Sequence, residues 1–276
     1  MSLEERFKQL TSQVYIDPQE SITYPPVAIS YGYYKINNDY YPIPLGTYGN
    51  FSFIQAPPKS KKTFFVSMLA SAYISDNTQY TGDIQGHRGD LNIVHFDTEQ
   101  GKFHAQKVFK RVLHMAKSNN ENYDTYGLRV LSVKDRLEFI NLYLKRYGDQ
   151  LGFMIIDGVA DLVLDVNDIV ESNKVVQDIM QWTQIYNIHI ACVIHSNHNS
   201  DKPTGHLGSF LEKKAESQIQ LKLDDNDDRI VNVICKRSRN FPFEDFNFEV
   251  DAEGYPRLID KIDDILNIKN GNKFNF

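Results

Sequence analysis

The sequence predicts an α/β fold: a central, mainly parallel sheet, followed near the C-terminal end by antiparallel β-hairpins. Three observations carry that prediction. Apolar strand-like runs alternate with helix-length segments between residues 51 and 194, the rhythm of a parallel sheet covered by helices on both faces. The apolar run 51–55 enters an eight-residue basic loop that opens directly into an apolar helix. From residue 217 the helices stop, and strand-like runs follow one another across short polar turns.

The 276 residues can build one large α/β domain or two small ones, and a hydrophobic content of 41% is enough for a sizeable core. No apolar run approaches a membrane span, and residues 1–17 lack the layout of a signal peptide, so a cytoplasmic chain with no membrane partner is expected. Cys192 and Cys235 sit in apolar strand-like runs and are expected as reduced core residues. A net charge of −6 argues against a surface that coats nucleic acid generally. A local basic channel depends on placement and stays open.

In chain order, Leu3, Phe7, Leu10 and Val14 recur at helical spacing and predict a short amphipathic helix over 3–15. Residues 21–44, rich in Tyr and Pro, predict an irregular arm with short strands that packs on the main sheet; an aromatic lip that stacks a base or grips another subunit is the alternative. Residues 64–74 read as a helix, 76–90 as a loop and 91–96 as a buried strand. Residues 101–118 read as a helix with Phe103, Val108, Val112 and Met115 on one side. A polar loop over 119–126 precedes a strand at 128–133 and a helix at 134–147. The strand 153–157, the helix 169–186 and the strand 188–194 complete the alternation. Strands at 217–223, 229–235, 246–250 and 256–258 follow, then a short helix at 259–268 and a tail. The acidic stretch 224–228 reads as a solvated hairpin tip; it lacks the Gly and closing Glu of a calcium loop.

The chemistry starts in the loop Ala56-Pro57-Pro58-Lys59-Ser60-Lys61-Lys62-Thr63. A strand–loop–helix of this kind is the context of a phosphate-binding P-loop. Backbone N–H groups face the anion, the lysine neutralises β/γ charge and the hydroxyl ligates Mg²⁺. The pattern asks for Gly at its first and sixth positions, where this chain has Ala56 and Lys61; a basic surface turn is the alternative reading. The strand ending in Asp157 supplies a carboxylate to orient Mg²⁺, and Glu99 ends another strand where a carboxylate can polarise an attacking water. Glu99 can equally cap the helix that follows it.

The strand 188–194 ends in His195-Ser196-Asn197-His198, polar groups placed to sense a γ-phosphate. A zinc site using His195, His198 and His206 lacks a further ligand. Residues 200–208 read as a mobile basic loop with Lys202 and His206, followed by Lys213 and Lys214; a phosphate-backbone contact and a plain solvated loop are both open. Lys236, Arg237 and Arg239 end a late strand, either solvating a sheet edge or reaching a neighbouring subunit's nucleotide.

Taken in this order, the parts resemble the RecA-like P-loop NTPase core. They are most similar to hexameric replicative helicases of the DnaB and RepA type and to small mobile-element or phage ATPases with a basic P-loop. The resemblance spans roughly residues 45–258, leaving 1–44 as helix and arm and 259–276 as helix and tail. It implies ATP and Mg²⁺ as cofactors. Residues 56–63 with His195 and Asn197 would bind nucleotide, Thr63 and Asp157 would hold the metal, and Glu99 would be the catalytic base. Lys202, His206, Lys213 and Lys214 would face single-stranded DNA in a ring's channel. Lys236 and Arg239 would act in trans, and the helix over 1–15 would dock on a neighbour. The implied function is an ATP-hydrolysing motor on single-stranded DNA, a homo-oligomer with replication or mobilisation partners. The alternative is an ATP-binding assembly or regulatory protein with little or no turnover.

Overall fold

The computed structural model describes residues 1–119, 121–197 and 200–259. The central element is β3 (Phe51–Ala56), in which every residue is buried. It lies between β8 (His189–His195) and β9 (Ser217–Leu223), parallel to both. Beyond β8 the parallel pairing continues through β7 (Leu151–Asp157) and β5 (Asn92–Asp97) to β6 (Tyr123–Gly127). On the other flank β9 pairs antiparallel with β10 (Ile230–Ser238), which leads to β11 (Phe246–Val250) and β12 (Pro256–Ile259). The nine strands therefore run β12-β11-β10-β9-β3-β8-β7-β5-β6.

Period-two alternation assigns the two faces. In β7, Phe153 and Ile155 join one core and Met154 and Ile156 the other. The first core lies under α2 (Lys62–Ile74) and α3 (Lys102–Ala116). The second lies under α4 (Val133–Tyr147), α5 (Ile169–Tyr186) and α6 (Gly205–Lys214). Helix α2 is buried along nearly its whole length, from Phe65 to Ile74, so it is a core helix rather than a surface amphipath. Each fully buried Phe or Ile on these faces contributes about 1.5–3 kcal/mol. Helices α4 and α5 start where Ser132 and Asp168 accept the backbone N–H three residues on.

Several sequence expectations are corrected. The arm expected to be irregular contains a hairpin, β1 (Val27–Ile36) and β2 (Asp39–Thr47), which β4 (Ile84–Gly86) extends to three strands; β2 runs through residue 44 into the core. The loop expected over 76–90 therefore holds a strand. Gly86 is required there: a Cβ would sit 2.3 Å from Tyr73 Cα. The strand expected at 128–133 lies instead at β6. As an edge strand with one neighbour, β6 carries a mixed Tyr-Asp-Thr-Tyr-Gly sequence in place of an apolar run. Phe103 is not on the buried side of α3 but 74% exposed.

Helix α1 (Leu3–Val14) has a capping box from Ser2 and Glu5 and buries none of its residues. The helix expected at 259–268 falls outside the described residues except for Ile259, which belongs to β12. Among the described residues no helix is long and apolar enough to cross a membrane. Both cysteines are free; burial pushes the Cys192 thiol pKa up, and that of Cys235 as well.

Candidate functional site

The C-terminal tips of β3, β5, β7 and β8 form one crevice, where an open parallel sheet places its ligands. The loop 56–61 leaves β3 and turns into α2 through two residues in the left-handed region, Lys59 (φ 63°) and Lys61 (φ 61°). The turn that glycine would make without strain is thus made by lysines, at a cost of about 1–2 kcal/mol each. Lys61 is the N-cap of α2 and provides no side-chain cap. The first N–H groups of α2 are left facing the crevice.

Lys62 is buried. Its Nζ donates to Pro57 O at 3.0 Å, and lies 3.4 Å from Ala56 O and 3.0 Å from His195 Nδ1. Burial pushes its pKa down, while Glu99 and Asp157 oppose that shift. The other ring nitrogen of His195, Nε2, is 3.3 Å from Glu99 Oε1. Glu99 has its pKa lowered chiefly by the hydrogen bond from His195, against the upward pull of burial. A single imidazole therefore joins Lys62 to Glu99, the candidate base.

Asp157 shares the face of Ile155 on β7, the face covered by α2, and so meets Thr63 at the start of that helix. Burial, Asp97 and Glu99 raise its pKa to about 7, against Lys62 and a hydrogen bond from Thr63. Its Oδ2 is buried and has no hydrogen-bond partner among the described residues. An orphaned carboxylate oxygen beside a threonine hydroxyl suits a hard, oxygen-ligated divalent cation such as Mg²⁺.

Sequence reasoning passed over Asp97. It is the register partner of Asp157 across β5 and β7 and is fully buried. Its carboxylate accepts from Glu99 N (3.1 Å), Gln100 N (2.8 Å) and Gln100 Nε2 (2.9 Å), which fixes the turn that carries Glu99. Thr98 clasps the same turn to β7: its N–H donates to Asp157 O at 3.1 Å, and its Oγ1 lies 2.8 Å from Gly158 O. Gly158 (φ +106°) permits this approach, since a Cβ would meet Thr98 Oγ1 at 2.3 Å and Glu99 Cγ at 2.7 Å. The signal was present in Asp97-Thr98-Glu99-Gln100, but its meaning depends on which strand lies beside it.

The remaining expected residues divide. Pro57, Pro58 and Lys59 are exposed on the loop, and Ser60 is buried beneath it. Asn197 is exposed, and its backbone N–H donates to Lys202 O at 2.9 Å. Lys202 is exposed, just ahead of α6. His206, Lys213 and Lys214, expected in or just after a mobile loop, are on α6. Two glycines mimic loop composition there, but Gly208 serves packing: a Cβ would lie 2.6 Å from the Pro203 backbone. The lysines at the end of α6 are also carried away from Lys202. Glu216, two residues beyond Lys214, donates its N–H to Phe51 O at the far end of β3.

Lys236 and Arg239 lie at that far edge too. Arg239 N donates to Glu216 O, and Ser217 pairs with Ser52, four residues and about 13 Å along β3 from Ala56. They do not reach the crevice of their own chain. Among the described residues no cluster of three His, Cys, Asp or Glu is placed to hold a metal; His198, part of the zinc alternative, lies outside them.

Beside the start of α2 is a cavity of about 260 Å³ between α3 and the β11–β12 turn, lined by Phe103, Gln106, Lys107, Arg111 and Tyr255 among others. The Arg111 guanidinium lies over the Phe64 ring at 3.9 Å, one residue beyond Thr63.

A mainly parallel sheet with a lysine-rich loop at the tip of its central strand, carboxylates at the next tips and an antiparallel extension make a RecA-like α/β fold. Solved structures share it. The RadB recombinase aligns over 77% of this chain and 92% of its own with a TM-score of 0.54 at 13% identity. A KaiC-like protein from the hyperthermophilic archaeon Pyrococcus horikoshii aligns over 77% and 90%, with a TM-score of 0.53 at 12% identity. Compared by sequence, neither a protein-family model nor a curated protein matches the chain.

Proposed function

We propose that this chain is a Mg²⁺-dependent ATPase that assembles as a ring or filament and acts on single-stranded DNA, as helicase-type ATPases of replication or mobile elements do. The observation that carries this reading is the convergence of Lys62, Thr63, Glu99, Asp157 and His195 on one crevice. The triphosphate would lie across the N-terminus of α2, with Lys62 on its β/γ oxygens. Thr63 and Asp157 would hold Mg²⁺, which would supply charge to offset that of the phosphates. Glu99, kept ionised by its hydrogen bond from His195, would accept the proton of the attacking water. The base would enter the cavity beside Phe103 and Arg111, where a ring and a guanidinium are both available for stacking.

His195 would report phosphate occupancy to the segment leading into α6, because Thr204 N and Oγ1 both donate to its carbonyl. Lys202 and His206 would be the nearer DNA contacts, with Lys213 and Lys214 a separate patch. Lys236 and Arg239, remote from the site of their own chain, would complete the site of an adjacent subunit. Helix α1, with Leu3, Phe7 and Val14 all more than two-thirds exposed, would dock on that neighbour. A recombinase among the proteins of like fold supports the DNA partner. Phosphate release with and without oligothymidylate tests the reading. Stimulated turnover that Glu99→Gln abolishes supports it, and turnover indifferent to that change removes Glu99 from the chemistry. Rescue on mixing Arg239→Ala with Glu99→Gln subunits supports action in trans.

The second reading, an ATP-binding assembly or regulatory protein with little turnover, is favoured by one observation. Two strained lysines stand in the P-loop where the phosphate-closing turn needs left-handed backbone. Tight ATP binding without phosphate release would select it.

A further inference from the structure

The cavity beside the start of α2 carries more chemistry than stacking alone needs. One wall is α3, from which Lys107, Lys110 and Arg111 line it; the other is the turn between β11 and β12, which contributes Glu253 and Tyr255. Positions 107, 110 and 111 are three and four apart, so the three cations share one face of α3. Ammonium and guanidinium groups only donate hydrogen bonds, and an ionised carboxylate only accepts them. The two walls therefore ask opposite things of whatever lies between them.

Both walls are held in place. Arg111 is half-buried over the Phe64 ring, with a guanidinium nitrogen 3.3 Å from Ser67 Oγ. Among the described residues no carboxylate pairs with it, and burial lowers its pKa to about 10 against the pull of Tyr255. A cation placed so is costly unless a ligand brings acceptors. Opposite, the Asp251 carboxylate fixes the turn by accepting from Glu253 N (3.0 Å), Tyr255 N (2.8 Å) and Arg257 Nε (2.9 Å). Arg257 is thereby taken, and Glu253 has no ion pair among the described residues. The Tyr255 ring stacks on His114 of α3 at 4.3 Å and 22°, which sets the gap between the walls.

We propose that this cavity selects guanine over adenine, so that the chain binds guanine nucleotides more tightly than ATP. Guanine carries two acceptors, N7 and O6, on one edge and two donors, N1–H and the 2-amino group, on another. The acceptor edge faces the cations of α3, and the donor edge faces Glu253. Adenine fits neither wall: its 6-amino donor would meet the cations, and its bare N1 would meet the carboxylate. The inference rests on the reading that a nucleotide lies on α2 with its base in this cavity, and it names the base.

The test is calorimetric titration of the full chain with GDP, ADP and inosine diphosphate in buffer containing Mg²⁺. GDP is expected to bind about 5- to 150-fold more tightly than ADP, with inosine diphosphate, which lacks the 2-amino group, in between. Glu253→Gln, whose amide can donate to adenine N1, should weaken GDP and strengthen ADP. Lys107→Gln combined with Lys110→Gln should weaken GDP more than ADP. All three side chains are exposed, so the variants are expected to fold as the native chain does. Equal binding of GDP and ADP, weakened alike by the variants, leaves the base in the cavity and ends its selectivity. Tighter binding of ADP than of GDP ends it as well. Variants that alter neither affinity, while Lys62→Ala abolishes both, put the base elsewhere and overturn the inference without touching the phosphate site. If neither nucleotide binds the native chain, the nucleotide reading falls and the inference falls with it.

Discussion

The Lys62 ammonium lies 3.0 Å from His195 Nδ1 and not on any carboxylate. An ammonium can only donate, so Nδ1 accepts and Nε2–H is left to donate to Glu99, 3.3 Å away. Lys62, proposed to bind phosphate, and Glu99, the candidate base, are tied through one ring. A triphosphate bound as proposed would draw Lys62 off His195 and so alter what holds Glu99.

Removing the ring should therefore separate binding from turnover. His195→Ala leaves Lys62 free to bind phosphate but leaves Glu99 unheld. The expected outcome is a KM within about threefold of the native value and a kcat lower by about 10²-fold, the usual scale for a mispositioned catalytic group. His195→Gln, whose amide can bridge both partners, should recover part of kcat. Equal losses for both variants, carried by KM, would make His195 a packing residue.

Gly158 gives a second prediction. Its φ of +106° and the 2.3 Å approach of Thr98 Oγ1 leave no room for a side chain. Gly158→Ala must push the Thr98–Glu99 turn off β7, at an expected cost of about 2–4 kcal/mol. Thermal unfolding should show a lower Tm, and turnover should fall further than the lost folded fraction explains. Unchanged turnover at a temperature well below Tm would mean that Glu99 does not need this clasp.

Much of the site was legible because an apolar run that ends in a polar residue marks a strand tip. Asp157 and His195 stand out in that way, and Lys62 and Thr63 stand where a strand–loop–helix puts its phosphate ligands. Asp97 was not legible, since its role comes from sitting opposite Asp157, and register between two strands separated by two helices is written in neither segment. The same limit hid β6, whose edge position frees it from the apolar pattern. It hid α6 differently: Gly205 and Gly208 read as loop residues, and only the close approach of Pro203 explains the second. The far-edge position of Lys236 and Arg239 likewise follows from the antiparallel return of β10, a fact of topology rather than of local sequence.

Asp157 makes stability depend on pH with a definite sign. Its pKa is about 7 in the folded chain against an ordinary 3.8, so the folded state binds the proton more tightly than the unfolded one. Its contribution is favourable below pH 4, is lost as pH rises from about 4 to 7, and stays lost above that. In metal-free buffer, Asp157→Asn should raise Tm at pH 8 and change it far less at pH 4. Mg²⁺ with ADP should stabilise the native chain at pH 8 and fail to stabilise the variant. A variant that Mg²⁺ and ADP protect equally would move the metal away from Asp157.

The strained loop 56–63 yields the prediction that decides between motor and assembly protein. Lys59 and Lys61 hold φ values that an L residue with a side chain adopts at a cost of about 1–2 kcal/mol, and glycine adopts freely. Part of that gain is offset by the extra freedom glycine has in the unfolded chain, so Lys61→Gly should stabilise by no more than about 1 kcal/mol. The larger effect is kinetic. If the bulky, charged residue limits how closely the loop backbone closes on phosphate, Lys61→Gly raises kcat while ATP affinity changes little. Lys61→Val, which keeps a branched side chain where φ must be positive, lowers both stability and binding. Should Lys61→Gly bind ATP more weakly and turn over no faster, the lysine is there for its charge, and the chain holds nucleotide in order to assemble rather than to move.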